Sequence, residues 1–262
     1  MSDFEQRFGG VARLFGQAGL TRLQRAHIAV VGIGGVGSWV VEALARSGVG
    51  ELTLVDLDDL CVTNINRQLH ALDGAIGQSK VAVMARRVTA INPECRVHCL
   101  PLFFTEKTAA EILAPRYDYV VDAIDGSTNK SLLIARARAA GLPVLACGAA
   151  GGRRDPTAVR IADLAAGTHD HLLRETRAKL RRFHGFPPAD KKLGVACVYS
   201  TEPPVYPAGD GSVCARPEPG SDPAMDCNSG YGTAAFLTGV FGLVGAGHVV
   251  REIALGAGPS PA

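Results

Sequence analysis

The residues best placed to do chemistry begin at Gly32-Ile33-Gly34-Gly35-Val36-Gly37, a glycine-rich turn between an apolar run and a stretch with helical spacing. Gly32, Gly34, Gly35 and Gly37 permit a tight turn and let a phosphate chain approach backbone N–H groups at a helix amino terminus. Asp56 ends the next apolar run, where a carboxylate binds ribose hydroxyls. Loop, flanking elements and Asp56 together predict a nucleotide site, whereas a glycine loop alone also suits a purely structural turn.

The residues after Asp56 bear on which nucleotide. Asp58, Asp59, Asn64, Asn66, Arg67, Gln68 and Lys80 crowd polar side chains beyond the ribose position, and hydride transfer has no use for them. Arg67 and Lys80 supply the cations that a triphosphate calls for; taken singly, each also reads as a solvated surface charge. Asp122 and Asp125 close the apolar run at 119–121. An acid at the carboxyl end of a parallel strand sits over the ligand crevice, so Asp125 is placed to hold magnesium beside ATP, with a helix N-cap as the alternative.

These residues need a scaffold, and the pattern provides one. Short apolar runs at 28–31, 52–55, 97–100, 119–121 and 144–146 alternate with helical stretches at 38–46, 80–90 and 129–140. Buried strands alternating with helices predict an α/β fold with a doubly wound, mostly parallel, Rossmann-like sheet. Residues 1–150 form the ATP-binding region. Residues 151–262 read as an irregular, partly helical, substrate-facing region integrated with it: basic at 174–192, Pro/Gly-rich at 202–226, apolar and glycine-rich at 229–250. The Pro/Gly stretch predicts a long mobile loop with no regular element. The apolar stretch is long enough for a bilayer but predicts a buried helix at a core or dimer interface.

Composition sets the outer limits. At 47% hydrophobic and 20% charged residues the chain builds a core without disulfides or structural metal. A net charge of +2 is too small to argue for nucleic acid by itself, so any RNA contact must come from a local cluster. Seven cysteines with no C-x-x-C pair argue against a disulfide framework and a four-cysteine zinc site. The first ten residues carry no basic-then-apolar signal, which predicts a cytoplasmic protein.

In order and spacing, residues 32–38, Asp56, Asn64, Arg67-Gln68, Lys80 and Asp122/Asp125 resemble the ubiquitin-activating-type adenylyltransferases over about the first 150 residues. The resemblance implies Asp56 on the ribose, Arg67 and Lys80 on the phosphates, and Asp125 on magnesium. Asn64, Asp122 and the loop glycines complete the nucleotide contacts. It also implies a homodimer in which Arg13 reaches the neighbouring subunit's ATP. Residues 192–202 and 225–232 resemble the tRNA threonylcarbamoyladenosine dehydratase branch of that superfamily. The branch implies ATP-dependent activation of the threonyl carboxylate on a tRNA adenosine beside the anticodon, then ring closure with net dehydration. Cys227 matches the branch's reactive cysteine; its plainer reading is a small buried hydrophobe. The partners so implied are tRNA, a second copy of the chain and a sulfur-transfer protein, with the 174–192 stretch as RNA contact or as a solvated helix face. A sulfur-carrier adenylyltransferase stands second, because the two C-x-x-C zinc pairs are missing. A nicotinamide-dependent oxidoreductase and a non-catalytic nucleotide-binding scaffold follow.

Overall fold

A capping box opens the chain. The Ser2 hydroxyl accepts from the Glu5 N–H at 3.1 Å while the Glu5 carboxylate accepts from the Ser2 N–H at 2.8 Å, satisfying donors that a helix start leaves open. Helix α1 (Asp3–Arg25) follows, kinked at Gly16 and burying Phe4, Phe8, Leu20 and Leu23. The apolar pattern before residue 26 does not predict this helix; the Ser2-x-x-Glu5 signature is its local signal. The computed structural model describes residues 2–217 and 231–256.

From there strands and helices alternate: β1 (His27–Val31), α2 (Gly35–Arg46), β2 (Glu51–Val55), α3 (Lys80–Ile91), β3 (Arg96–Leu100), α4 (Ala109–Ile112), β4 (Tyr119–Asp122), α5 (Ser127–Ala139) and β5 (Val144–Cys147). The second half adds β6 (Val159–Asp163), α6 (His171–Phe183), β7 (Ala196–Ser200), a two-stranded ribbon of β8 (Tyr206–Pro207) and β9 (Val213–Cys214), and α7 (Ala235–Leu255). Seven strands form one sheet in the order β3-β2-β1-β4-β5-β7-β6, parallel throughout except for β6 against β7. This is the α/β, mostly parallel, Rossmann-like architecture that the alternating runs predict.

Successive side chains on a strand point to opposite faces. Ile28 and Val30 therefore join one core with Val41 and Leu44 of α2, Met84 of α3 and Phe241 of α7. Ala29 and Val31 join another with Leu133 of α5 and Leu173 and Leu180 of α6. Both faces of β1, β2, β4 and β5 are covered, which is why these strands are nearly continuous apolar runs. Fully burying each such aliphatic side chain contributes roughly 1.5–3 kcal/mol. β3 differs from the buried strand expected at 97–100: it is an edge with Arg96, His98 and Cys99 exposed, and charged side chains suit an unpaired edge.

Past residue 150 the outcome also departs from expectation. The region read as irregular contributes β6 and β7 to the main sheet, and the Pro/Gly-rich stretch holds the β8–β9 ribbon. Within the apolar stretch, α7 begins at Ala235 and packs on α2 and α1, with Gly239 and Gly242 against Trp39. By length and composition α7 could cross a membrane, but 56% of its most apolar window is buried inside the protein. Its residues Leu237, Phe241, Ala246 and Val249 belong to the core.

Candidate functional site

The strand order reverses between β1 and β4, and a crevice opens beyond the carboxyl ends of strands at such a point. Here it is a cavity of about 1030 Å³ lined by Gly32, Gly34, Gly35, Asp56, Asn64, Arg67, Gln68, Lys80 and Asp125 among others. Gly32 has φ +93°, and a Cβ there would stand 2.7 Å from the Ala123 carbonyl oxygen. At Gly37 a Cβ would collide with the Gly32 carbonyl oxygen. The loop therefore turns tightly enough to lay backbone against a ligand only because both positions lack side chains.

Asp56 is held from both sides. Its Oδ2 accepts from the Ile33 N–H at 2.7 Å and its Oδ1 from the Asp58 N–H at 2.9 Å. A carboxylate has about four acceptor positions, so capacity remains for two ribose hydroxyls. Burial pushes the Asp56 carboxyl above its ordinary value, opposed by Lys80 and by the two backbone donors. Lys80 starts α3, is only 7% exposed and donates to Asp58 Oδ2 at 2.7 Å.

Asn64 is buried and its Oδ1 accepts from the Cys61 N–H at 3.1 Å, closing the short turn Val62–Asn64. That turn presents Arg67, whose Nη1 donates to the Thr63 carbonyl at 2.5 Å and to Asn66 Oδ1 at 3.0 Å. The Arg67 carbonyl in turn accepts from Thr238 Oγ1 at 2.9 Å and Trp39 Nε1 at 3.3 Å. Helices α7 and α2 thus clamp the backbone that carries the guanidinium.

The two aspartates after β4 part company. Asp125 is exposed and lines the cavity, while the N-cap of α5 is Gly126, with no side-chain cap. The N-cap alternative for Asp125 therefore does not hold. Asp122 does not line the cavity, contrary to its expected place among the nucleotide contacts. It is fully buried behind the wall, with Oδ1 3.0 Å from Lys130 Nζ, which has no exposure either. Lys130 also donates to the Ile124 carbonyl at 2.9 Å and the Asp122 carbonyl at 3.2 Å, pinning the turn that leads to Asp125. Burial pushes the Asp122 carboxyl up to about 6, with Lys130 pulling it down.

Residues 10–259 match the ThiF family. This chain belongs to the ThiF family. It is 48% identical to tRNA threonylcarbamoyladenosine dehydratase of Escherichia coli (strain K12) over 252 residues, 95% of this chain and 94% of that relative. A relative of the same name from Haemophilus influenzae is 45% identical over 254 residues, 97% of this chain and 95% of that protein. The crystal structure of the Escherichia coli enzyme TcdA in complex with ATP aligns with a TM-score of 0.86 at 43% identity, covering 98% of this chain and 97% of that one.

Other side chains of this ThiF-family member divide between site and scaffold. Arg13 sits on an exposed face of α1 and does not line the cavity. Cys227 lies outside the described residues. Cys147 does line the cavity, but burial pushes its thiol up to about 12, so it is no thiolate at neutral pH. Of the basic stretch, Arg177 donates to the Leu164 and Gly167 carbonyls, Lys179 to the Ser127 and Thr128 hydroxyls, and Arg181 to the Pro187 carbonyl. Arg174, Arg182, Lys191 and Lys192 stay exposed. Periodicity gave no sign of Lys130, Thr238 or Tyr231, a cavity-lining ring 5.1 Å from that of Tyr206.

Proposed function

We propose that this chain uses ATP to activate the threonyl carboxylate of threonylcarbamoyladenosine in tRNA, which then closes to the cyclic form with net loss of water. The observation that carries this reading is the cavity at the β1/β4 switch point, where Asp56, Arg67, Lys80 and Asp125 converge in a chain similar to that class of enzyme over nearly its full length. A carboxylate is a poor electrophile. Attack of one of its oxygens on the α-phosphorus of ATP releases pyrophosphate and gives an acyl adenylate; a thiolate then displaces AMP to form a thioester, and the neighbouring carbamoyl nitrogen attacks that carbonyl, losing its proton as the thiolate is expelled.

Arg67 and Lys80 neutralise the phosphates and pyrophosphate as charge develops, and Asp56 orients the ribose. The exposed, uncapped Asp125 carboxylate fits a magnesium ligand; bound there, the ion supplies further charge neutralisation on the phosphates. Cys227 acts after activation as a thiolate that takes up the acyl group before ring closure, splitting one difficult step into two. The active unit is a homodimer in which Arg13 serves the neighbouring subunit's cavity, working in the cytoplasm, with a sulfur-transfer protein as a further partner. The exposed cations Arg174, Arg182, Lys191 and Lys192 face the tRNA backbone. Calorimetry tests the nucleotide half: ATP binds and NAD does not. Tight NAD binding without ATP binding would return the chain to the oxidoreductases.

A further inference from the structure

The opposite end of the sheet carries a second constellation. In the parallel register His27 pairs with Glu51, Glu51 with Arg96, and Thr53 with His98. Residues two apart on a strand share a face, so His27, Glu51, Thr53, Arg96 and His98 stand together. Glu51 Oε1 is 2.8 Å from His98 Nε2 and 3.7 Å from His27 Nδ1, and these ligating atoms all lie within 4.8 Å of one another. Tetrahedral zinc with bonds of about 2.0–2.2 Å to nitrogen and oxygen sets its ligand atoms roughly 3.3 Å apart, inside this range.

One tautomer of His27 suits a cation there. Its Nε2 lies 2.8 Å from the Thr53 hydroxyl. A neutral imidazole whose Nε2 donates to that hydroxyl leaves a lone pair on Nδ1. That Nδ1 stands 3.7 Å from Glu51 Oε1, a separation that a shared cation would bridge.

Supporting contacts orient each ligand, as metal sites require. Arg96 takes Glu51 Oε2, leaving Oε1 for the two imidazoles. The Tyr117 ring packs edge-on to His27 with centroids 4.7 Å apart. His98, at 50% side-chain exposure, leaves an entry path.

We propose that His27 Nδ1, Glu51 Oε1 and His98 Nε2 bind one divalent transition-metal ion of the zinc class, with a remaining position open to solvent. Two imidazoles and one carboxylate favour zinc and its neighbours over magnesium or calcium, which take oxygen donors. The ion displaces the proton shared by His98 and Glu51 and ties the edge strand β3 to β1 across β2. Strands of this length put the site roughly 16 Å from the nucleotide cavity, so the ion stabilises the sheet and leaves ATP binding unchanged.

Chelator-treated full-length protein is titrated with Zn²⁺ by calorimetry and with Co²⁺ by visible spectroscopy, the seven cysteines being the competing ligands. One equivalent should bind, with d–d bands, no thiolate charge-transfer band, and a higher thermal midpoint. His98→Ala should weaken binding at least about tenfold and abolish the thermal shift, and Thr53→Val should weaken it about 10–100-fold, each with ATP affinity unchanged as proof of fold. Thiolate bands, affinity unchanged in His98→Ala, or no binding at about millimolar Zn²⁺ would overturn the assignment.

Discussion

Lys80 and Asp58 meet at the rim of the nucleotide cavity at 2.7 Å, where half of the Asp58 carboxylate is exposed; Lys130 and Asp122 meet behind its wall at 3.0 Å, where neither has any exposure. The two pairs share their chemistry and differ in their solvent. At the rim the half-exposed Asp58 carboxylate can turn to water while a phosphate takes its place on the buried Lys80 ammonium, so Lys80 is available to a ligand. Behind the wall a lone charge is expensive, so Lys130 stays on its carboxylate and on the Ile124 and Asp122 carbonyls. The sealed pair fixes the backbone that aims Asp125, and the rim pair meets what binds.

Removing each lysine in turn separates the two pairs. Lys130→Met strands a buried carboxylate and should cost about 3–5 kcal/mol of stability, read by chemical denaturation. Adding Asp122→Leu should restore much of it, because an apolar pair replaces a half-broken ionic one. If Lys130→Met leaves stability unchanged, the sealed pair is not what holds the turn. Asp125→Ala, at the exposed end of the same turn, should leave the fold intact and lower ATP turnover about 10²–10³-fold. Normal turnover in that variant refutes a role for Asp125 on the metal.

His70 extends the sealed side of the comparison. It is 2% exposed, and neither ring nitrogen has a hydrogen-bond partner among the described residues. Burial, with Lys80 and Arg87 adding to it, holds its imidazole down to about 4 against an ordinary 6.5. Because the folded value lies below the unfolded one, the stability is present above pH 6.5 and is lost as pH falls towards 4. Between pH 7 and pH 5 the loss should be about 2 kcal/mol, and His70→Leu should flatten that part of the profile. An unchanged profile in His70→Leu would place the titration elsewhere. The smallest effect belongs to the rim: Lys80→Met should change stability by less than about 1 kcal/mol while weakening ATP about tenfold, or roughly 1.4 kcal/mol. A large stability loss there would erase the distinction between the pairs.

What could be read from the sequence follows the range of each signal. The glycine loop, Asp56, Arg67, Lys80 and Asp125 stand beside strand ends that the apolar runs mark, and the fold needs only local order to bring them to one crevice. The Thr238 hydroxyl meets the Arg67 carbonyl across 171 positions, and no local spacing announces that contact. Lys130 looks like any helix charge until the turn before α5 folds back over it. Helix α1 is hidden by its weak apolar pattern and its kink at Gly16. β6 and β7 are masked by the basic and Pro/Gly-rich stretches beside them. The basic stretch itself reads as one patch in sequence, yet Arg177, Lys179 and Arg181 are committed to carbonyls and hydroxyls of the protein.

Whether the cavity activates a tRNA-borne carboxylate with ATP is settled by one incubation. Full-length protein is mixed with ATP, magnesium and tRNA carrying the threonylcarbamoyl group, and the modified nucleoside is followed by mass spectrometry. One water should be lost from the nucleoside, with one ATP converted to AMP and pyrophosphate per ring closed, and Asp125→Ala should slow that conversion about 10²–10³-fold. Unchanged nucleoside, or water loss that proceeds without ATP, would contradict it.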